Sequence, residues 1–123
     1  MTINDLMNDA IRMLDVTVRG GYDGNTQTAQ DKQAVLAQHV VDGLRRLYAL
    51  RPEARYLNGV LDDPVFPTAL ADLKAYEVKI NPKWKLGVVY FAVARCHEEG
   101  ITDSVNLQLA QTLKKEADAV FMS

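Results

Sequence analysis

The sequence between Asn81 and Cys96 reads NPKWKLGVVYFAVARC, and this stretch decides the fold. Asparagine followed by proline favours a helix start, because Asn81 can cap free amide groups and Pro82 has no amide hydrogen to leave unpaired. The residues after Trp84 are apolar on nearly every face. Such a run is also compatible with a strand, but the cap, the length and the stop at Gly100 predict a buried central helix.

A first amphipathic helix is predicted at the N-terminus. Apolar residues recur at three- and four-residue steps over residues 3–14, which is the period of one helical face. Thr2 or Asn4 is placed to cap this helix. Gly20-Gly21 is predicted to end it, and the polar, glycine-rich stretch Arg19–Gln27 to form a loop.

Two further helices complete the helical set. The second is predicted to open with a capping box at Thr28. It should stop near Leu50, because Pro52 disfavours helical geometry in the residue before it. The last helix is predicted to begin after Thr102 or Asp103 and carries an evenly spaced apolar stripe.

The middle of the chain, about residues 53–80, is irregular. Asn58-Gly59 is a type I′ turn pair with apolar flanks, and a short helix is predicted over residues 68–74. Tyr76–Ile80 alternates apolar and charged residues, as a half-buried strand does. We therefore predict one mainly α domain over residues 1–123, a compact bundle of about four principal helices with a small β-hairpin or short strand element in the middle.

Composition disfavours several classes of protein. A chain of 123 residues, 48% hydrophobic and 24% charged, suits a folded globular domain with one core. The net charge is −2 and the basic residues are interspersed with acids, which disfavours autonomous DNA binding. The longest apolar run, Leu86–Ala94, is about half of the ~20 residues that a membrane helix needs. The N-terminus lacks the pattern of a secretion signal, and the single cysteine, Cys96, suits a reducing cytoplasm.

Residues that could carry chemistry are few and scattered. Cys96 and His97 are adjacent, so on a helix they point about 100° apart, and His39 is the other histidine. This spacing disfavours a metal site and a Cys–His nucleophile. The acid pairs Asp62-Asp63 and Glu98-Glu99 fall in a turn and at a helix end, where solvated carboxylates are the simpler interpretation. We predict no catalytic residue, no metal, no cofactor and no enzymatic activity.

One basic cluster lies at and just beyond the end of the second helix, formed by Arg45, Arg46, Arg51 and Arg55. In one interpretation these side chains compensate the helix dipole on a solvated face. In the other they form a docking patch for a carboxylate-bearing partner or a neighbouring subunit, because guanidinium groups pair bidentately with carboxylates.

The order of these motifs resembles the head–tail connector, or adaptor, proteins of tailed bacteriophages. The segment Leu50-Arg51-Pro52-Glu53-Ala54 after the second helix carries much of the resemblance. The closing helix with Ala110 and Phe121 carries most of the rest. The resemblance extends over nearly the whole chain.

This resemblance implies a helical structural protein that assembles as a ring, commonly a dodecamer, beneath the portal protein. Such a ring extends the DNA channel, lets genomic DNA pass without sequence-specific binding, and offers a platform to a further tail component. It implies a location in the virion at the head–tail interface, after synthesis in the host cytoplasm and without contact with a membrane.

A ring subunit needs two different patches that meet across each contact. We expect them in Arg19–Gln27, Tyr56–Phe66 and the C-terminal residues 120–122. The candidate residues for contact with a subunit, the portal or the tail are Arg45, Arg46, Arg51, Arg55, Tyr56, Leu57, Phe66, Phe121 and Met122. In a second interpretation, Phe121 simply closes the core. The alternative function is a small helical protein-binding regulatory module that uses the arginine cluster.

Overall fold

A computed structural model describes residues 1–57, 60–61, 64–99 and 104–123, and for residues 56, 57, 60, 61, 104 and 105 it describes the backbone alone. The helices in these ranges are α1 (Ile3–Met13), α2 (Val16–Arg19), α3 (Gln27–Leu50), α4 (Leu70–Ala75), α5 (Lys85–Glu98) and α6 (Ser104–Met122). Short 3₁₀ turns cover Gly20–Tyr22, Pro52–Arg55 and Pro82–Trp84. The prediction of a mainly helical bundle is confirmed.

The start of α1 is a capping box. The hydroxyl of Thr2 accepts a hydrogen bond from the backbone amide of Asp5, whose carboxylate accepts one from the amide of Thr2. The bond from Thr2 lowers the pKa of Asp5. Of the two predicted caps, the structure therefore uses Thr2 and not Asn4. One face of α1, including Ile3 and Leu6, is fully buried.

The predicted end of the first helix and the predicted loop after it are both wrong in part. α1 ends at Met13, well before Gly20-Gly21, and the chain continues through α2 and the 3₁₀ turn Gly20–Tyr22. Asp15 restarts the helix because its carboxylate accepts from the amide of Thr17. Most of the predicted loop Arg19–Gln27 is therefore helical turn. In the remainder, Gly24 has a φ of 90°, a backbone conformation that favours glycine.

The long helix α3 begins slightly earlier than predicted. Thr26, rather than Thr28, is the N-cap, because its hydroxyl accepts from the amide of Ala29. The predicted stop is confirmed: α3 ends at Leu50, and Pro52 opens the 3₁₀ turn that follows.

The middle of the chain contains less β structure than its sequence pattern indicates. Strands β1 (Tyr56–Leu57) and β2 (Val60–Leu61) pair antiparallel over two residues each. The Asn58-Gly59 pair predicted to turn between them, and Asp62-Asp63, lie outside the described residues. The predicted short helix is α4, displaced by one or two residues from the expected range.

The predicted strand Tyr76–Ile80 is wrong. Its side chains do alternate in burial, with Val78 inside and Glu77 and Lys79 exposed. Within the described residues, however, it pairs with other backbone only through an isolated bridge between Thr2 and Glu77 and the hydrogen bonds beside it. The N-terminal residues cannot pair with this segment over a longer stretch, because α1 begins at Ile3.

Helix α5 is the central helix, as predicted. Asn81 caps the 3₁₀ turn Pro82–Trp84 that leads into it, by accepting from the amide of Lys83. The interior of the helix is buried between α1, α3 and α6. Two glycines permit this close approach. A Cβ at Gly43 of α3 would lie 3.1 Å from the backbone oxygen of Val88, and one at Gly87 would lie 2.5 Å from the ring of Phe121.

The last helix, α6, covers the outside of α5. It buries the narrow stripe Ala110, Leu113, Ala117 and Phe121, and leaves its other faces in solvent. The predicted caps Thr102 and Asp103 lie outside the described residues. The described part of the chain contains no helix with the length and apolarity to cross a bilayer.

Candidate functional site

The predicted arginine cluster is divided among different roles. Arg46 forms a bidentate pair with Asp118 of α6, with Nε 3.0 Å from Oδ1 and Nη2 2.8 Å from Oδ2. This hydrogen-bonded pair raises the pKa of Arg46. The fork geometry suits a planar guanidinium and carboxylate. Arg46 therefore binds α3 to α6 within the chain.

Arg51 holds the end of the last helix. Its Nε donates to the carbonyl of Phe121 at 2.8 Å and its Nη2 donates to the carbonyl of Met122 at 2.9 Å. The last carbonyls of a helix have no partner inside the helix, and they carry the negative end of its dipole. Arg51 thus supplies hydrogen bonds and a compensating charge to α6 from a position 70 residues earlier in the chain.

Arg45 is more exposed to solvent than Arg46 and Arg51. Its side chain is 61% exposed, and its nearest carboxylate, on Asp42, is 3.9 Å away. The guanidinium carbon lies 5.9 Å from the centre of the ring of Phe66, a distance at which a cation and an aromatic face attract. Arg55 also has an interaction partner, and it lines a pocket with Tyr48.

The other predicted contact residues also differ in accessibility. Tyr56 and Leu57 belong to β1, and their side chains lie outside the description. Phe66 is half-buried, with its ring 5.1 Å from that of Tyr76. Phe121 is fully buried, so it closes the core and is not open to a partner; Met122 beside it is 56% exposed.

A polar cluster that the sequence pattern did not predict lies at one end of the bundle. His39 of α3, only 8% exposed, is paired through Nε2 with the carboxylate of Glu99 just after α5. Its Nδ1 is buried and has no hydrogen-bond partner in the described part of the chain. No local signal could have revealed this pair, since the two residues are 60 positions apart.

Cys96 and Tyr22 lie next to this pair. Burial, followed by the nearby charge of Glu99, raises the pKa of the Cys96 thiol to about 11. Burial also raises the pKa of the Tyr22 hydroxyl well above its usual range, and Cys96 adds to that effect. A thiol with so high a pKa stays protonated at neutral pH, and the thiolate is the reactive form. The cluster is therefore poorly suited to nucleophilic chemistry.

A pocket of about 460 Å³ opens beside these side chains and is lined by residues of α2, α3, α5 and α6, including Asp15, Lys32 and His97. Within the described ranges, no three or more histidine, cysteine and acidic residues lie together in a way that could hold a metal ion.

Gln33 holds α2 and the turn after it against α3. Its side-chain amide donates to the carbonyls of Tyr22, at 2.7 Å, and Gly24, at 3.2 Å. Its oxygen accepts from Lys74 of α4 at 3.2 Å. Arg19 adds two bonds, from Nε to the carbonyl of Leu14 and from Nη2 to that of Arg12. The segment from Leu14 to Gly24 is thus fixed at both ends.

Two surface features combine apolar and charged groups. The first consists of Asp15, Val16 and Val18, and we call it the α2 knob. Val16 is 73% exposed. The second is a groove between α3 and α4, which we call the α3–α4 groove. It has a volume of about 310 Å³. Its lining residues are Ala34, Gln38, Val41, Arg45, Phe66, Pro67, Thr68, Leu70 and Leu73.

Comparison of the chain with models of known families, with curated proteins and with solved structures finds no match.

Proposed function

We propose that this protein is a structural head–tail adaptor of a tailed bacteriophage, which assembles as a ring under the portal, extends the DNA channel and joins the head to the tail. The observation that carries the proposal is the bond from Arg51 to the carbonyls of Phe121 and Met122. It joins the two segments that resemble adaptor proteins, residues 50–54 and the closing helix. The resemblance thus rests on one structural unit and not on two unrelated stretches.

The distribution of exposed apolar side chains also supports a subunit with several neighbours. They occur on α1, α2, α3, α5 and α6 and in the segment before α4. They are Met13, Val16, Val18, Val35, Val65, Leu86, Leu107, Leu109 and Met122. A ring subunit contacts two identical neighbours through different patches, and an adaptor also contacts a component above and one below. Exposed apolar side chains on several elements suit that arrangement.

The electrostatics of the chain suit a channel through which DNA passes without adhering. The net charge is −2. Two of the clustered arginines, Arg46 and Arg51, donate to groups of the same chain, which leaves fewer guanidinium groups for phosphates. DNA binding that depends on phosphates requires several free cations acting together. We infer that genomic DNA is not bound sequence-specifically.

Electron microscopy of the protein mixed with the portal protein of the same genome tests the proposal. We expect a ring of this chain stacked coaxially on the portal, with a continuous central channel, and no such ring when the protein is mixed with an unrelated ring-shaped protein as a control. A protein that stays a monomer or a defined dimer in the presence of the portal would contradict the proposal. That outcome would favour the alternative, a small helical protein-binding regulatory module.

A further inference from the structure

The α3–α4 groove is a largely apolar site with a cation beside it. Six of its lining residues are apolar, namely Ala34, Val41, Phe66, Pro67, Leu70 and Leu73. The groove has a volume of about 310 Å³. Arg45 adds a guanidinium that is 61% exposed, and in the part of the chain that the structure describes its ionic neighbour is the carboxylate of Asp42, 3.9 Å away. A complementary surface would present small aliphatic side chains next to a carboxylate.

The α2 knob has this composition. Val16 and Val18 are 73% and 47% exposed, and the carboxylate of Asp15 immediately precedes them. The amide and hydroxyl of Thr17 both donate to Asp15 Oδ1 at 2.9 Å, and the bond from the amide is the main reason why the pKa of Asp15 is lowered. The carboxylate therefore stays ionised and has a fixed direction.

The knob is also rigid before any partner binds. Arg19 and Gln33 hold the two ends of its segment through bonds to backbone carbonyls. A surface that is already ordered loses little conformational entropy on association, so more of the contact energy appears as affinity. Rigid apolar side chains beside a fixed charge also favour one orientation of the partner.

We propose that the α2 knob of one copy docks into the α3–α4 groove of the next copy, with the valines against the apolar lining and Asp15 paired with Arg45. The occupant is a second copy of this chain, because the matching apolar and charged groups are both on its surface. The knob and the groove have no residue in common, so the contact is heterologous and repeats from copy to copy until the rotation closes a ring. For its biological meaning, this inference rests on the proposed adaptor function.

Two variants with opposite defects test the contact. Val16→Ser combined with Val18→Ser removes the apolar knob and leaves the groove intact. Arg45→Glu places a like charge opposite Asp15 and leaves the knob intact. We expect each variant alone to self-associate at least about tenfold more weakly than the unaltered chain in sedimentation velocity. An equimolar mixture should form 1:1 dimers that do not grow, because each mixed pair has one intact knob and one intact groove that can meet.

Ala119→Ser is the control, because Ala119 is an exposed apolar residue of α6 that belongs to neither surface. It should associate like the unaltered chain, and circular dichroism should show all variants equally helical. An unaltered chain that stays monomeric at every concentration, unchanged association of both variants, or a mixture that stays monomeric would overturn the inference.

Failure of this contact is distinguishable from failure of the adaptor function. If rings on the portal form equally well with both variants, the contact is wrong and the function stands. If the unaltered chain forms no ring on the portal, the function is wrong, whatever the sedimentation data show.

Discussion

Gly87 of α5 lies directly beneath the ring of Phe121, so close that a Cβ at position 87 would be 2.5 Å from Cε1 and 2.8 Å from Cδ1 of that ring. Real Cβ atoms do not approach other atoms so closely. The ring cannot easily withdraw, because Phe121 is fully buried and Arg51 binds its backbone carbonyl. The contact therefore fixes how closely α6 packs on α5.

Gly87→Ala should destabilise the protein by about 1 to 2 kcal/mol, measured as the free energy of unfolding in urea. Overpacking typically costs about 1–3 kcal/mol, and the better helix propensity of alanine returns up to about 1 kcal/mol. Gly20→Ala is the matched control, since nothing lies within 4 Å of its Cβ position and its φ of −61° is helical. It should be neutral or stabilise by up to about 1 kcal/mol. Equal effects of the two substitutions would refute the packing argument.

Arg51→Gln should loosen the end of α6. It removes the charge that two helix-terminal carbonyls share, so we expect a loss of about 1–2 kcal/mol and faster hydrogen exchange at the amides of residues 118–123. Arg45→Gln provides the comparison, because Arg45 is exposed and contacts no part of α6 in the pairs that the structure shows. Its free energy of unfolding should stay within about 0.5 kcal/mol of the original. Unchanged exchange in the Arg51 variant would contradict the role assigned to it.

Stability should decline as the pH rises from about 9 to about 11, with Cys96 as one cause. The thiol has a pKa of about 11 in the folded protein against an ordinary value of 9.0. Because the folded chain holds this proton more tightly, the contribution is fully present below pH 9 and is lost as the unfolded chain ionises, by on the order of 1–2 kcal/mol. Tyr22, whose pKa is raised above its ordinary value of 10.0, adds to the loss from about pH 10 upwards.

The substitution Cys96→Ala isolates the thiol. It should reduce the slope of the unfolding free energy between pH 9 and pH 11, whatever it does to stability at pH 7. As an independent check, alkylation of the native thiol should be slow at pH 7 and should accelerate up to about pH 11. Rapid alkylation at pH 7 would show that the thiol is not held in its protonated form.

Gln33→Leu should detach the turn after α2 from α3. The leucine cannot donate to the carbonyls of Tyr22 and Gly24 or accept from Lys74, so partly buried polar groups lose their partners, at a cost of about 1–3 kcal/mol. Hydrogen exchange and proteolysis should increase within residues 19–26. Gln30→Leu is the control, because Gln30 is exposed and makes a single bond to Asn25. Comparable exchange in both variants would argue against this role of Gln33.

Much of the helical architecture could be predicted because its signals are local. Asn81-Pro82 starts the central helix and Pro52 follows the end of α3, and both effects depend on backbone geometry within a few residues. Errors arose where two local signals competed. Thr26 and Thr28 are both suitable caps. The structure uses Thr26, so α3 begins at Gln27, earlier than a cap at Thr28 would allow.

The strand predicted at Tyr76–Ile80 shows why a burial pattern does not define a strand. The alternation correctly identified Val78 as buried. A strand also needs a partner backbone, and here the partner ends within three residues because Ile3 begins a helix. The period of a sequence reports which side chains face the core, but not whether another chain segment lies beside the backbone.

The accessibility of the candidate contact residues also depends on distant parts of the chain. The sequence grouped Arg45, Arg46 and Arg51 as one basic cluster. In the structure, Arg46 and Arg51 bind groups 70 or more residues away, on α6, while Arg45 faces solvent. Which side chains remain free for a partner depends on contacts between distant segments.

By itself, the sequence determined the helical class, the central position of α5 and the boundary of α3 at Leu50, because capping, proline geometry and apolar periodicity act over a few residues. Only the tertiary structure decided that Phe121 packs on Gly87, that His39 pairs with Glu99 and that Arg51 holds the end of α6. These contacts join residues 34 to 70 positions apart. Their formation depends on how the helices cross, and no local preference specifies that geometry.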